Sequence, residues 1–90
     1  LILNAIDATG PGGKILVRAE RVDENIVIAV EDNGAGIANE HLPRLFQPYF
    51  TTKKHGTGLG LFVTRRIVED HGGEVWFDSA PGEGAAFHVR

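Results

Sequence analysis

The residues best suited to chemistry are Asp32-Asn33-Gly34-Ala35-Gly36-Ile37, where an alternating apolar run meets two glycines. Ile26, Ile28 and Val30 alternate with Val27, Ala29 and Glu31, the period of a strand. Asp32 shares parity with the Ile26/Ile28/Val30 row, so its carboxylate is expected on the apolar face. A carboxylate there needs hydrogen-bond donors. Gly34 and Gly36 allow a sharp turn and a close approach by a ligand. An acceptor above a glycine floor suits a flat molecule with an amino edge, such as adenine. Asp-Asn-Gly is also ordinary turn chemistry, and this stretch alone does not separate the two readings.

Two further stretches carry polar groups that could meet a ligand. Leu1, Asn4, Ala5 and Ala8 fall on one face of a helix expected over residues 1–9. Asn4 lies on that stripe, where its amide needs partners. A backbone bond would satisfy it, and so would Mg²⁺, for which a carboxamide oxygen is a suitable hard ligand. Gly56-Thr57-Gly58-Leu59-Gly60-Leu61 opens a helix expected to run to about His71. Gly60, Val63, Thr64, Ile67, Val68 and His71 mark its inner stripe, and Gly72-Gly73 ends it. Glycines at a helix start expose N–H groups that attract anions. Lys53 and Lys54, just before them, add positive charge. No strand leads directly into this turn, which excludes a dinucleotide-binding or Walker loop.

The elements that would position these groups follow from the rest of the pattern. Lys14 to Glu20 alternates, with Ile15, Val17 and Ala19 on one face. Arg21 to Asn25 reads as a polar hairpin loop, and the Asp32 strand returns from it. Val75 and Phe77 form part of a strand, Ala80 to Gly84 a turn, and Ala85, Phe87 and Val89 the returning strand. Residues 38–56 offer little to a core: a short helix at Asn39-Glu40-His41-Leu42, then an aromatic stretch and the lysines. Long connections of this kind are functional lids or disorder. This segment is expected to be mobile until an anion orders it.

Composition narrows the class. The chain has 90 residues, 42% of them hydrophobic, with twelve glycines and a net charge of -3. That describes one globular domain with a modest core. The charge gives no basic footprint, which argues against nucleic acid as a partner. No apolar run approaches the length of a membrane helix. The absence of cysteine excludes disulfides and thiolate metal sites and fits a cytoplasmic location. A start in mid-pattern without methionine is expected of a piece of a longer protein.

Taken together, these stretches resemble the boxes of sensor histidine kinases. Leu3-Asn4-Ala5-Ile6-Asp7-Ala8 resembles the end of their N box, and Asp32 to Ile37 their first glycine box. Leu45-Phe46-Gln47-Pro48-Tyr49-Phe50 resembles their F box, and Gly56 to Leu61 their second glycine box. Four boxes in the family's order and spacing cover nearly the whole chain. The resemblance implies an α/β (α+β) two-layer sandwich of the Bergerat type: a mixed, mainly antiparallel sheet with helices on one face, truncated at its N-terminus. It implies an ATP-binding catalytic domain using ATP and Mg²⁺. Asn4 would hold the metal, and Asp32 would accept from the adenine amino group. Gly34, Gly36 and Ile37 would line the base pocket with Phe46 and Phe50. Gly56, Thr57, Gly58, Leu59, Gly60 and Leu61 would wrap the phosphates beneath a lid carrying Lys53 and Lys54.

The implied partners are upstream dimerisation helices bearing the phosphoacceptor histidine, and a downstream response regulator. The parent protein would be a homodimer, free in the cytoplasm or anchored to a membrane. His41, His55, His71 and His88 read as surface or packing residues, and no residue is placed as a general base. Three departures stand out. Asp7 occupies a position where such kinases often carry a phosphate-facing lysine, so Lys53 or Lys54 would fill that role, as in the nitrogen-regulatory type. Tyr49 replaces a common phenylalanine. The N-box position four before Asn4 falls outside this chain. The alternatives are an ATPase of the same superfamily and a nucleotide-binding regulatory module without chemistry.

Overall fold

A computed structural model of the chain describes residues 1–51, 57–80 and 82–90. The expected elements are present in order: α1 (Ile2–Ala8), β1 (Ile15–Val22), β2 (Asn25–Asp32), a 3-10 helix (Asn39–Arg44), α2 (Gly60–Asp70), β3 (Val75–Ala80) and β4 (Gly84–Val89). The strands form one sheet in the order β1-β2-β4-β3, with every pairing antiparallel. Both helices contribute to a cavity over one face of this sheet.

Register explains which face is covered. Directly opposed residues share a face. Val17 pairs with Val30, Val30 with Phe87, and Phe87 with Phe77. One step along, Ile15 pairs with Asp32, Asp32 with Ala85, and Ala85 with Ser79. The alternation read from the sequence therefore holds across all four strands, and it sets Asp32 in the same face as Val30 and Phe87. The core is small: Ala5, Ala29, Val30, Ala85 and Phe87 are buried. Phe46 meets Phe77 at 5.9 Å with the rings tilted by 45°, and Phe77 meets Phe87 at 5.7 Å, so the aromatic stretch after the 3-10 helix is anchored to the sheet.

The α1 stripe is as expected: Ala5 is buried and Leu1, Asn4 and Ala8 are half-buried, while Ile2, Leu3, Ile6 and Asp7 are exposed. Thr9 ends the helix, its N–H and its hydroxyl both donating to the Ala5 carbonyl. Two expectations are corrected. The first hairpin loop is only Asp23-Glu24, because β1 and β2 pair as far as Val22 and Asn25. Alternation between polar residues is invisible to a hydrophobic count, and Asp23 takes the turn at φ 57. On α2, Val63 and Ile67 are exposed, whereas Leu61, Phe62, Thr64 and Val68 are half-buried. The stripe drawn through Gly60 and Val63 was therefore offset: Leu61 turns to the cavity and Val68 packs beside Gly73.

The opposite face of the sheet covers itself with its own side chains. Trp76 stacks on His88, with ring centres 5.2 Å apart and planes within 8°. Arg18 pairs with Glu31 alongside. His88 thus lies on the outer face, as expected, but beneath the Trp76 ring rather than in water.

Candidate functional site

The cavity has a volume of about 420 Å³ and lies between α1, the loop after β2, the 3-10 helix and the start of α2. That is the size of small-molecule sites. Asn4 and Asp7 line it from successive turns of α1. Asp32, Ala85 and Phe87 form its floor from the sheet, and Gly36 and Ile37 a wall. Phe50, Thr57, Gly58, Gly60 and Leu61 close the remaining side.

Asp32 combines the two roles its sequence allowed. Its Oδ1 accepts the Gly34 N–H at 2.9 Å, the hydrogen bond of an Asx turn. Among the described residues no hydrogen bond is made to its Oδ2, and the carboxylate lines the cavity. Asn33 fastens the same turn to the residue just before β1, its Oδ1 accepting the Lys14 N–H at 2.8 Å.

The two glycines are required by the protein itself. A Cβ on Gly34 would lie 2.2 Å from the Ala8 carbonyl oxygen at the end of α1. Gly34 does not line the cavity; it allows the loop to press against α1, where the Ala35 N–H donates to that same oxygen. Gly36 has φ +72, and a Cβ there would lie 2.1 Å from the Ala80 carbonyl oxygen. Gly36 does line the cavity, so it serves the turn and the pocket together. Ser79 completes this wall: its hydroxyl accepts the Ile37 N–H at 2.9 Å and donates to the Gly84 carbonyl at 3.1 Å. Nothing in the sequence singled out Ser79, because its partner Ile37 lies 42 positions away.

Other expected residues are distributed unevenly. Phe46 and Leu59 do not line the cavity; Phe46 is occupied with Phe77, as above. The Tyr49 N–H donates to the Gly58 carbonyl at 2.7 Å, which ties the end of the aromatic stretch to the glycine turn before α2. Lys53, Lys54 and Gly56, at the end of the lid expected over residues 38–56, lie outside the described residues. His41, read from sequence as a surface or packing residue, lines the cavity.

A cavity fed by glycine turns, with a carboxylate in its floor and a helix start at one side, is suited to a nucleotide. Comparison with known proteins identifies the lineage. Residues 1–90 match the family described as histidine kinase-, DNA gyrase B- and HSP90-like ATPase. The chain belongs to this family. It is 49% identical over 90 residues to the sensor histidine kinase ZraS of Salmonella typhi, covering 99% of this chain and 19% of that protein. It is 46% identical over 86 residues to the nitrogen regulation protein NtrY of Azorhizobium caulinodans, covering 90% of this chain and 11% of that one. The fold matches the catalytic domain of histidine kinase ThkA in a nucleotide-free form with a TM-score of 0.83 at 39% identity, covering 98% of this chain and 58% of that one. The chain thus spans a fifth or less of the curated relatives' length. Its four-stranded antiparallel sheet and helices are those of a histidine kinase catalytic domain in this ATPase family.

Proposed function

We propose that this chain is the ATP-binding catalytic part of a sensor histidine kinase, which presents the γ-phosphoryl group of ATP to a histidine on separate dimerisation helices. The phosphoryl group would then pass to a response regulator. The observation that carries the reading is Asp32: a carboxylate in the apolar row of the sheet, one oxygen held by the Gly34 N–H, the group opening into a cavity beside Gly36 and Ile37. It would accept from the adenine amino group. Thr57, Gly58 and Gly60 at the start of α2 would receive the phosphates through backbone N–H groups and the helix dipole. The similarity to NtrY agrees with a nitrogen-regulatory type of kinase, in which Lys53 or Lys54 would supply the phosphate-facing cation.

The described residues fit Mg²⁺ as an ion carried mainly by the nucleotide. Among them no group of three His, Cys, Asp or Glu side chains could hold a metal alone. Asn4 offers a hard oxygen at the cavity wall, and Mg²⁺ is commonly held by one or two protein ligands plus substrate phosphates. When bound, it would neutralise phosphate charge. Phosphoryl transfer depends on positioning and electrostatics more than on covalent help from the protein.

Asp32→Asn tests the assignment. Asn keeps an Oδ1 to accept the Gly34 N–H, so the turn survives, while the second acceptor becomes a donor facing the adenine amino group. The mismatch costs about 1–3 kcal/mol. Calorimetric titration with the ATP analogue AMP-PNP and Mg²⁺ should show affinity reduced by about fivefold or more. Equal affinity in wild type and variant would refute the assignment of Asp32.

A further inference from the structure

We infer that Tyr49 is a positioning residue for the phosphate side of the cavity. Its main-chain N–H holds the Gly58 carbonyl oxygen turned away from the phosphates, so that the turn before α2 meets them with N–H groups. The inference rests on the nucleotide-site reading above and adds to it a residue outside the cavity lining.

The contact is close and made by main chain on both sides. The Tyr49 N–H donates to the Gly58 carbonyl at 2.7 Å. A Cβ on Gly58 would lie within 2.7 Å of the Tyr49 Cα, carbonyl carbon and carbonyl oxygen, so only glycine lets the two strands of chain meet. Tyr49 reaches this position at φ 67, a left-handed conformation that a bulky residue rarely adopts. Its side chain does not impose it, since Tyr49 is 76% exposed. The neighbouring backbone does: the Gln47 N–H donates to the Arg44 carbonyl at 3.0 Å and the Phe50 N–H to the Gln47 carbonyl at 3.3 Å. Phe50 in turn lines the cavity and packs against His41. Backbone strain persists where the surrounding structure over-determines it, and such positions cluster at ligand sites.

The planar peptide unit carries the effect to the ligand. The Gly58 carbonyl and the Leu59 N–H belong to one trans peptide and point in opposite directions. Fixing the oxygen on Tyr49 therefore fixes the N–H as well, which donates to Thr57 Oγ1 at 3.3 Å. Thr57, Gly58, Gly60 and Leu61 line the cavity at this point. The N–H groups of Gly60 and Leu61 make no hydrogen bond among the described residues, as expected of a helix start, and are left for an anion. Without the Tyr49 bond the Gly58–Leu59 peptide is free to rotate, because glycine accepts either sense of φ. Rotation would bring a carbonyl oxygen beside those N–H groups, where it repels phosphate. Tyr49 thus acts through Gly58 on the phosphates and leaves the base, whose acceptor Asp32 stands on the sheet floor, untouched.

The test compares three variants with wild type by calorimetry, using AMP-PNP with Mg²⁺ and, separately, adenosine. Tyr49→Pro removes the N–H and cannot adopt a positive φ. Gly58→Ala keeps the N–H but forces the two main chains apart. Tyr49→Gly keeps the N–H, fits the left-handed conformation and removes only the ring. Tyr49→Pro and Gly58→Ala should bind AMP-PNP about fivefold or more weakly than wild type, and adenosine within about twofold of it. Tyr49→Gly should match wild type with both ligands. Unchanged AMP-PNP affinity in the first two, an equal loss with adenosine, or a loss in Tyr49→Gly as large as in Tyr49→Pro would overturn the inference while leaving the nucleotide site standing. Failure of both disrupting variants to fold in thermal melts would make the contact a structural support and overturn it as well. Failure of wild type to bind AMP-PNP would refute the nucleotide reading and this inference with it.

Discussion

Gly34→Ala gives the sharpest structural test of how the first glycine box works. The substitution adds one methyl group to a half-buried loop residue, a change that is mild by composition. Its position makes it severe: the new Cβ would sit 2.2 Å from the Ala8 carbonyl oxygen, 2.6 Å from its carbon and 3.1 Å from Asp32 Oδ1. The neighbour is backbone, so no side chain can swing aside. Relief requires the loop to lift from α1, which strains or breaks the bond from the Ala35 N–H to Ala8 and displaces the helix that carries Asn4. Overpacking of this kind costs about 1–3 kcal/mol, and a weakened backbone bond adds about 1 kcal/mol. The sum, about 2–4 kcal/mol, is a large part of the stability of a domain this size and should lower Tm by at least about 8 °C. Gly10→Ala is the control, since nothing lies within 4 Å of a Cβ there. Thermal melts and urea titrations of both variants decide the matter. A Gly34→Ala protein as stable as Gly10→Ala would refute the claim that this glycine is required by close approach to α1.

Ser79→Ala should destabilise the chain by about 1–2 kcal/mol in urea titration, because the half-buried Ile37 N–H loses its acceptor, and it should also weaken AMP-PNP binding by loosening the cavity wall. Gly60→Ala should separate stability from binding. A Cβ there meets nothing within 4 Å and alanine favours helix, so Tm should stay level or rise, while the added methyl enters the cavity wall and AMP-PNP affinity should fall in calorimetry.

What could be read in advance followed from short-range regularity. The period of two through Val30 and Asp32 determined the face of the carboxylate, and pairing with Phe87 and Ala85 carried that face across the sheet. The stripe of Leu1, Asn4, Ala5 and Ala8 likewise placed Asn4 at the cavity wall. Long-range contacts were not legible. Ser79 reaches Ile37 only because β3 ends beside the glycine turn, and Gly34 is constrained by a helix carbonyl far upstream in sequence. His41 packs on Phe50, which comes from beyond the 3-10 helix, so this neighbour too could not be read from adjacent positions. The offset on α2 has a related cause. With Val63 and Ile67 exposed, apolar character alone did not mark the side that meets the sheet.

The central claim is that this chain delivers phosphate from ATP to a histidine that it does not itself supply. Its most direct test is incubation with ATP labelled at the γ-phosphate, alone and with histidine-bearing dimerisation helices of a related sensor kinase, followed by acid and alkali treatment. The account predicts no stable label on the chain alone and label on the added helices that is lost in acid and kept in alkali, as expected of a phosphoramidate. Acid-stable label, or rapid release of phosphate with no labelled protein, would contradict it.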